Sequence, residues 1–240
     1  DFERELLSAP NDSKLWIQFM AFRLSLADVG AARKVADRAL KTINFREEDE
    51  KLNVWVALLN LEHKFGSKKS VTDTICRACG AAHPKRIYLR VTEMYETNGD
   101  SESAKEAYTV AIKKFKTSKK VWSAFIRFKL RSGDDEGARK SLQRSLKSLS
   151  KHKHIFVINR FAQDEYLYGS LERGRTVFEG LLASYPRRVD LWNVYIDKET
   201  KAQEFEFARQ LFERLTTLQL SSKAVKGVFK KWLAFEASHG

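Results

Sequence analysis

The chain has 240 residues, with 44 Lys and Arg against 31 Asp and Glu, a formal net charge of +13. Eleven Gly and three Pro are about half the usual share, too few turn formers for a fold of many short strands. Apolar residues at 43% and aromatics at 12% supply enough side chain for a large core, which excludes a disordered chain. Two Cys are no disulfide framework and fit a reducing compartment. No apolar run nears the roughly 18 residues of a membrane span. The mixed-charge start, Asp1 to Glu5, is not a secretory signal, and a start without Met is that of a piece of a longer protein. The expected class is a soluble, basic, all-α protein.

Taken in chain order, the predicted elements form a repeat. Large apolar or aromatic residues recur at Trp16, Trp55, Tyr88, Trp122, Ile158, Trp192 and Phe229, at intervals of 33 to 39 residues. Three positions after each anchor comes a second large residue: Phe19, Leu58, Val91, Phe125, Phe161, Tyr195 and Trp232. Seven after, an acid is common, at Glu62, Glu165, Glu199 and Glu236. Eleven after stand Gly66, Gly99, Gly133, Gly169 and Gly240, where a helix is expected to end on a left-handed residue that suits glycine.

A second half-repeat follows in register. Ala32-Arg33, Ala104-Lys105, Ala138-Arg139, Gly174-Arg175 and Ala208-Arg209 stand 16 and 17 after their anchors. Apolar residues four apart on one helix face follow at +20 and +24. Each unit therefore reads as helix, turn, helix, with the small residue where two backbones cross. Pro84 and Pro186 fall just past the second helix of their units. The first unit departs, with Arg23 at the acid position and Ala27 at the turn, and the second has Val71-Thr72 for Ala-Arg, so an irregular hairpin is expected there. One hairpin cannot bury its own apolar stripe, so about six should stack into a right-handed superhelical solenoid over 1–240, a single domain ending in one further helix from Phe229. The anchors read as inter-helix packing.

The runs Trp192-Asn-Val-Tyr-Ile-Asp-Lys-Glu199 and Ala208-Arg-Gln-Leu-Phe-Glu-Arg214 resemble the HAT (half-a-TPR) repeat, a family of RNA-processing complexes. More closely, Asp1–Leu7, Ala31–Glu48, Lys51–Glu62 and Asp190–Glu199 are similar to the ribosomal-RNA-processing protein five family, over essentially the whole chain. That family consists of large nucleolar factors with S1 RNA-binding domains followed by a HAT/TPR module. The resemblance implies a nucleolar scaffold of early pre-ribosomes, tied to small-subunit rRNA maturation, with pre-ribosomal RNA and other assembly proteins as partners.

The charge is local. Between Lys105 and Arg160 stand sixteen Lys and Arg against four acids, a net +12. Such a block is what phosphate neutralisation requires. The connections Lys113–Lys120 and Lys147–His154 join units three to four and four to five, and loops at one level of successive repeats are expected side by side as a basic edge. The candidate RNA-binding residues are Lys113, Lys114, Lys116, Lys119, Lys120, Arg127, Lys129, Arg131, Lys147, Lys151 and Lys153. Arg127 and Arg131 are four apart and Lys129 lies between them, so the three cannot share one helix face. His152 and His154 are expected to join this edge, and Phe115 to end its helix in the core. With no RNP-type aromatic motif, any RNA would be single-stranded or irregular and recognised by its backbone. The alternative is a purely protein-binding scaffold whose basic edge docks acidic segments.

Chemistry finds no support. Cys76-Arg-Ala-Cys79 with His83 and a distant His63 lacks the second ligand pair of a structural zinc, and Cys79 occupies a core position. There is no P-loop, nucleophile elbow, His-Glu-x-x-His or dinucleotide fingerprint. Asp134-Asp-Glu136 reads as a helix N-cap. No catalytic residue, metal or cofactor is expected.

Overall fold

The computed structural model describes residues 2–239, and every regular element among them is helical. The chain divides into two compact units, residues 1–115 and 116–240. Unit 1 opens with α1 (Phe2–Ser8) and continues as three hairpins: α2 (Ser13–Ser25) with α3 (Val29–Thr42), α4 (Glu48–Phe65) with α5 (Lys68–Ala81), and α6 (Pro84–Thr97) with α7 (Ser101–Lys114). Unit 2 repeats the plan with α8 (Lys119–Arg131) and α9 (Asp135–Ser148), α10 (His154–Tyr168) and α11 (Leu171–Ser184), and α12 (Val189–Lys201) and α13 (Phe205–Thr216). A 3-10 turn, Lys151–Lys153, precedes α10, and α14 (Ser222–His239) follows the last pair. The anchors Trp16 through Trp192 each lie in the first helix of a pair, and Phe229 lies in α14. The short α1 carries no anchor of the periodic pattern, yet Leu6 is buried and the Phe2 ring stacks on Phe19 at 5.4 Å.

The caps are as regular as the core. Asp28, Asp100 and Asp134, each twelve residues after an anchor, accept from the backbone N–H of Ala31, Ser103 and Gly137 at 2.7, 3.1 and 2.8 Å. Each satisfies a donor that the first turn of a helix leaves orphaned. Immediately before these caps Gly99 and Gly133 take φ of +75°, and in the first and sixth hairpins Ala27 and Gln203 take the same left-handed conformation at 57° and 63°.

Gly66 and Gly169 differ from the expectation, since their φ values are −103° and −115°. Space, not handedness, requires glycine there. The side chains of Glu62 and Glu165 fold back over the turn, and a Cβ would sit 2.4 and 1.9 Å from their Oε2 atoms. Gly240 lies outside the described residues.

The crossing positions behave as read. Ala32, Ala104, Ala138 and Ala208 are fully buried, and at Gly174 a Cβ would meet the Tyr166 ring at 2.5 Å. The second hairpin is regular despite Val71-Thr72: Val71 is buried, and α5 runs fourteen residues from a reciprocal Ser67/Ser70 capping box. Pro84 opens α6 at its first turn, where no N–H is needed, and Pro186 lies in the connection to α12.

Three devices recur that tie neighbouring elements. The indole N–H groups of Trp16, Trp122 and Trp192 donate to carbonyls six residues earlier, those of Pro10, Lys116 and Pro186, at 2.9, 2.8 and 2.8 Å. Over the anchor rings lie the guanidinium groups of Arg38, Arg77, Arg144 and Arg214, each 22 residues after its tryptophan and 5.0 to 6.0 Å from the ring. The acid at +7 meets the arginine at +17 of the preceding repeat: Arg33 with Glu62 at 2.7 Å, Arg175 with Glu199 at 2.7 Å and Arg209 with Glu236 at 3.0 Å. The packing role expected of the anchors holds from Trp16 to Trp192. Phe229 is half exposed, its ring stacked on Trp232.

Candidate nucleic-acid interface

The basic segment begins at the end of unit 1. Lys113 is exposed in the last turn of α7. Its neighbour Lys114 is exposed too, but it has a partner: its Nζ donates to the Tyr88 hydroxyl at 2.8 Å and lies 4.8 Å from the centre of that ring, and the hydrogen bond raises its pKa. Phe115 ends α7 with its ring edge-on to Tyr88 at 5.8 Å, a packing contact.

In unit 2 the connection before α8 and the connection before α10 touch. Lys153 Nζ donates to the Thr117 carbonyl at 2.9 Å, and Lys119 Nζ sits 4.1 Å from the centre of the partly exposed Phe156 ring. His154 Nε2 lies 2.9 Å from the Leu149 carbonyl, and His152 is exposed. The indole of Trp122 holds the Lys116 carbonyl, which leaves the Lys116 side chain outside. Lys116, Lys120, Lys147 and Lys151 are all exposed, and among the described residues no carboxylate pairs with them. This is an unneutralised cationic edge carried on two successive connections and the helix ends that flank them, within one compact unit.

The three cations in the second half of α8 have intramolecular partners. Arg127 Nε reaches Asp164 on α10 at 3.0 Å, and Arg131 lies over the Tyr168 ring at 5.7 Å. Lys129 turns the other way, to Asp134 of its own turn at 2.6 Å, the main cause of that carboxyl's lowered pKa. The divided helix face is therefore real: Arg127 and Arg131 meet α10, and Lys129 serves the cap of α9.

Elsewhere the chemistry-bearing residues are part of the scaffold. Cys76 is exposed and Cys79 half-buried against the core of unit 1, where burial pushes its thiol up. The His63 ring packs edge-on to Tyr95 at 5.3 Å. Among the described residues no three His, Cys, Asp or Glu side chains converge as a metal site would need, and no helix is long and apolar enough to cross a membrane. Sequence periodicity missed Asp164, which is buried between two arginines; it stands one position before the acid column and so carries no repeat signal.

Paired helices in a 33-to-39-residue register define a helical-repeat module. The family model for the pre-mRNA-splicing factor Syf1/CRNKL1 C-terminal HAT repeat matches residues 7–240. The rRNA biogenesis protein rrp5 of Schizosaccharomyces pombe is 47% identical over 240 residues, all of this chain and 14% of that protein. The Protein RRP5 homolog of Homo sapiens is 43% identical over 236 residues, 98% of this chain and 13% of that protein. A crystal structure of a tetratricopeptide repeat protein from Parabacteroides merdae aligns with TM-score 0.44 and 14% identity, over 91% of this chain and 84% of that one. The chain belongs to the HAT-repeat family and, within it, to the HAT modules of the RRP5 family. It spans 13–14% of the length of these curated relatives.

Proposed function

We propose that this module is a non-catalytic scaffold in pre-rRNA processing and early small-subunit ribosome assembly, working in the nucleolus. In this reading the basic edge binds pre-ribosomal RNA and other surfaces hold assembly proteins. The observation that carries it is the exposed lysine set Lys116, Lys120, Lys147 and Lys151, without carboxylate partners, on touching connections of unit 2 and the helix ends beside them, with Lys113 exposed at the end of α7. Neutralising several phosphates at once releases condensed counterions, and this term needs no sequence-specific contact. The RRP5 relatives are named for rRNA biogenesis, which supplies the class of RNA. Room for a protein partner exists in unit 1, where an apolar groove of about 630 Å³ between α2, α4 and α6 is lined by Ile17, Met20, Val56, Ala57 and Phe65.

The test is the affinity for single-stranded RNA as a function of salt. Replacing Lys116, Lys120, Lys147 and Lys151 with Gln removes four potential phosphate contacts. At roughly 0.7 per contact for a single strand, the salt slope is expected to fall by about 3 and the affinity to drop with it. Unchanged slope and affinity would sink the RNA reading of this edge.

A further inference from the structure

The first helices of unit 2 carry a second group of cations, away from the connections. Arg127 on α8 and Arg160 on α10 both turn their Nε atoms to Asp164 Oδ1, at 3.0 and 3.6 Å. Asp164 is buried, and its Oδ2 has no hydrogen-bond partner among the described residues. On α12, half-buried Lys198 lies within electrostatic reach of Arg127, Arg160 and Asp164, and exposed Lys201 follows one turn later. Arg127 and Arg160 therefore share one carboxylate, with Lys198 in electrostatic reach of it and Lys201 in reach of Lys198. The nearest spare acid on α12, Asp197, already pairs with Lys231 at 2.7 Å.

Like charges held this close destabilise one another unless a counter-charge joins them. Burial and then Lys201 hold the Lys198 ammonium below its ordinary pKa, and Arg160 and Arg127 add to this while Asp164 opposes it. Arg127 donates to Asp164 from Nε and Arg160 approaches it through Nε, and the Nη hydrogens of a guanidinium are further donors beyond such a contact. A planar guanidinium presented in this way matches the paired oxygens of a phosphate. Arg127 is eight residues beyond Lys119 on α8, about 12 Å of helix, so this group is distinct from the connection edge.

We infer that Arg127, Arg160, Lys198 and Lys201 form a phosphodiester-binding site for single-stranded RNA on the face made by α8, α10 and α12. The inference rests on the reading of this module as an RNA binder and adds a second contact to it. Asp164 opposes these cations and offsets one of the four charges.

The experiment measures binding of a 3′-fluorescein oligouridylate, about 20 nucleotides long, by anisotropy between 50 and 200 mM salt. The full chain is compared with three variants: Arg160→Gln/Lys198→Gln/Lys201→Gln, the four-lysine connection variant, and Asp164→Asn. The triple variant is expected to lower the salt slope by about 2 and the affinity at least tenfold. Asp164→Asn removes the only acid of the site and is expected to tighten binding about threefold, whereas mere damage to the fold would weaken it. Unchanged slope and affinity in the triple variant, or weaker binding by Asp164→Asn, overturns the site. If the connection variant alone loses affinity, the edge stands and this site falls; if the triple variant alone loses it, the site stands and the edge falls. No binding by the unmodified chain, or equal binding of polyglutamate, overturns both.

Discussion

Replacing Trp122 with alanine is expected to lower the free energy of unfolding by about 3–5 kcal/mol, measured by urea titration of helical circular dichroism. The side chain is buried in unit 2, covered by the guanidinium of Arg144 at 6.0 Å, and its indole donates to the Lys116 carbonyl at 2.8 Å. Alanine therefore removes a large apolar volume, a ring under a cation and a tether together. Trp192→Ala should cost as much, since Trp192 repeats the arrangement with Arg214 and the Pro186 carbonyl. Trp122→Phe separates the parts: most of the apolar volume stays, the tether goes, and about 1–2 kcal/mol is lost. A cost below about 1 kcal/mol for either alanine would contradict the packing role of the repeat anchors.

Glu199→Ala is expected to cost about 3 kcal/mol in the same assay. Glu199 is fully buried and accepts from Arg175 Nε at 2.9 Å, from Arg175 Nη2 at 2.7 Å and from the Tyr166 hydroxyl. Burial, and then the bond to Glu199, hold the Tyr166 phenol far above its ordinary pKa, so it stays a donor at any working pH. Without the carboxylate, both donors lose their buried acceptor, although Arg175 keeps Glu204 at 3.1 Å. Removing Arg175 as well should recover part of the loss, because the double variant strands no charge.

The equivalent pair in unit 1 gives a pH signature. The hydrogen bond from Arg33 holds the Glu62 carboxyl below its ordinary value, against the opposing effect of burial. A carboxylate with a lowered folded pKa adds stability above its unfolded value, about 4.3, and that stability is lost as pH falls through the folded value. Arg33→Ala should therefore move the acid-unfolding midpoint upward. An unmoved midpoint would remove Glu62 from the account of acid stability.

Most of the fold was legible because each repeat needs the same few residue types at the same separations. The large anchors, the mostly small residue at +16 and the turn at +11 place the hairpins, and each column has its own physical cause. What escaped notice was the relation between columns. The acid at +7 and the arginine at +17 stand out separately, but only packing shows that Glu62, Glu199 and Glu236 each meet the arginine of the preceding repeat. The arginine at +22 was as regular and went unseen, since an arginine on a helix is ordinarily read as solvated.

Glycine misled in a different way. Gly99 and Gly133 are there for handedness, while Gly66 and Gly169 are there because a glutamate folds over them, and a sequence writes both as the same letter. Of the basic residues, composition marked the segment but could not separate Arg127 and Lys129, which have carboxylate partners, from Lys116, Lys120, Lys147 and Lys151, which have none. Lys198 and Lys201 lay outside the charge block and joined Arg160 only through the stacking of α12 on α10.

The bond from the Trp122 indole to the Lys116 carbonyl has a consequence for recognition. Fixing a residue's backbone costs about 1–2 kcal/mol of conformational entropy, and a flexible connection incurs that cost when a ligand arrives. Here the anchor of the fourth hairpin and the Lys153–Thr117 contact fix the connection as unit 2 folds. Only the lysine side chains remain to be ordered by whatever they bind. A residue that looks purely structural is thus also one that preorganises an exposed charge.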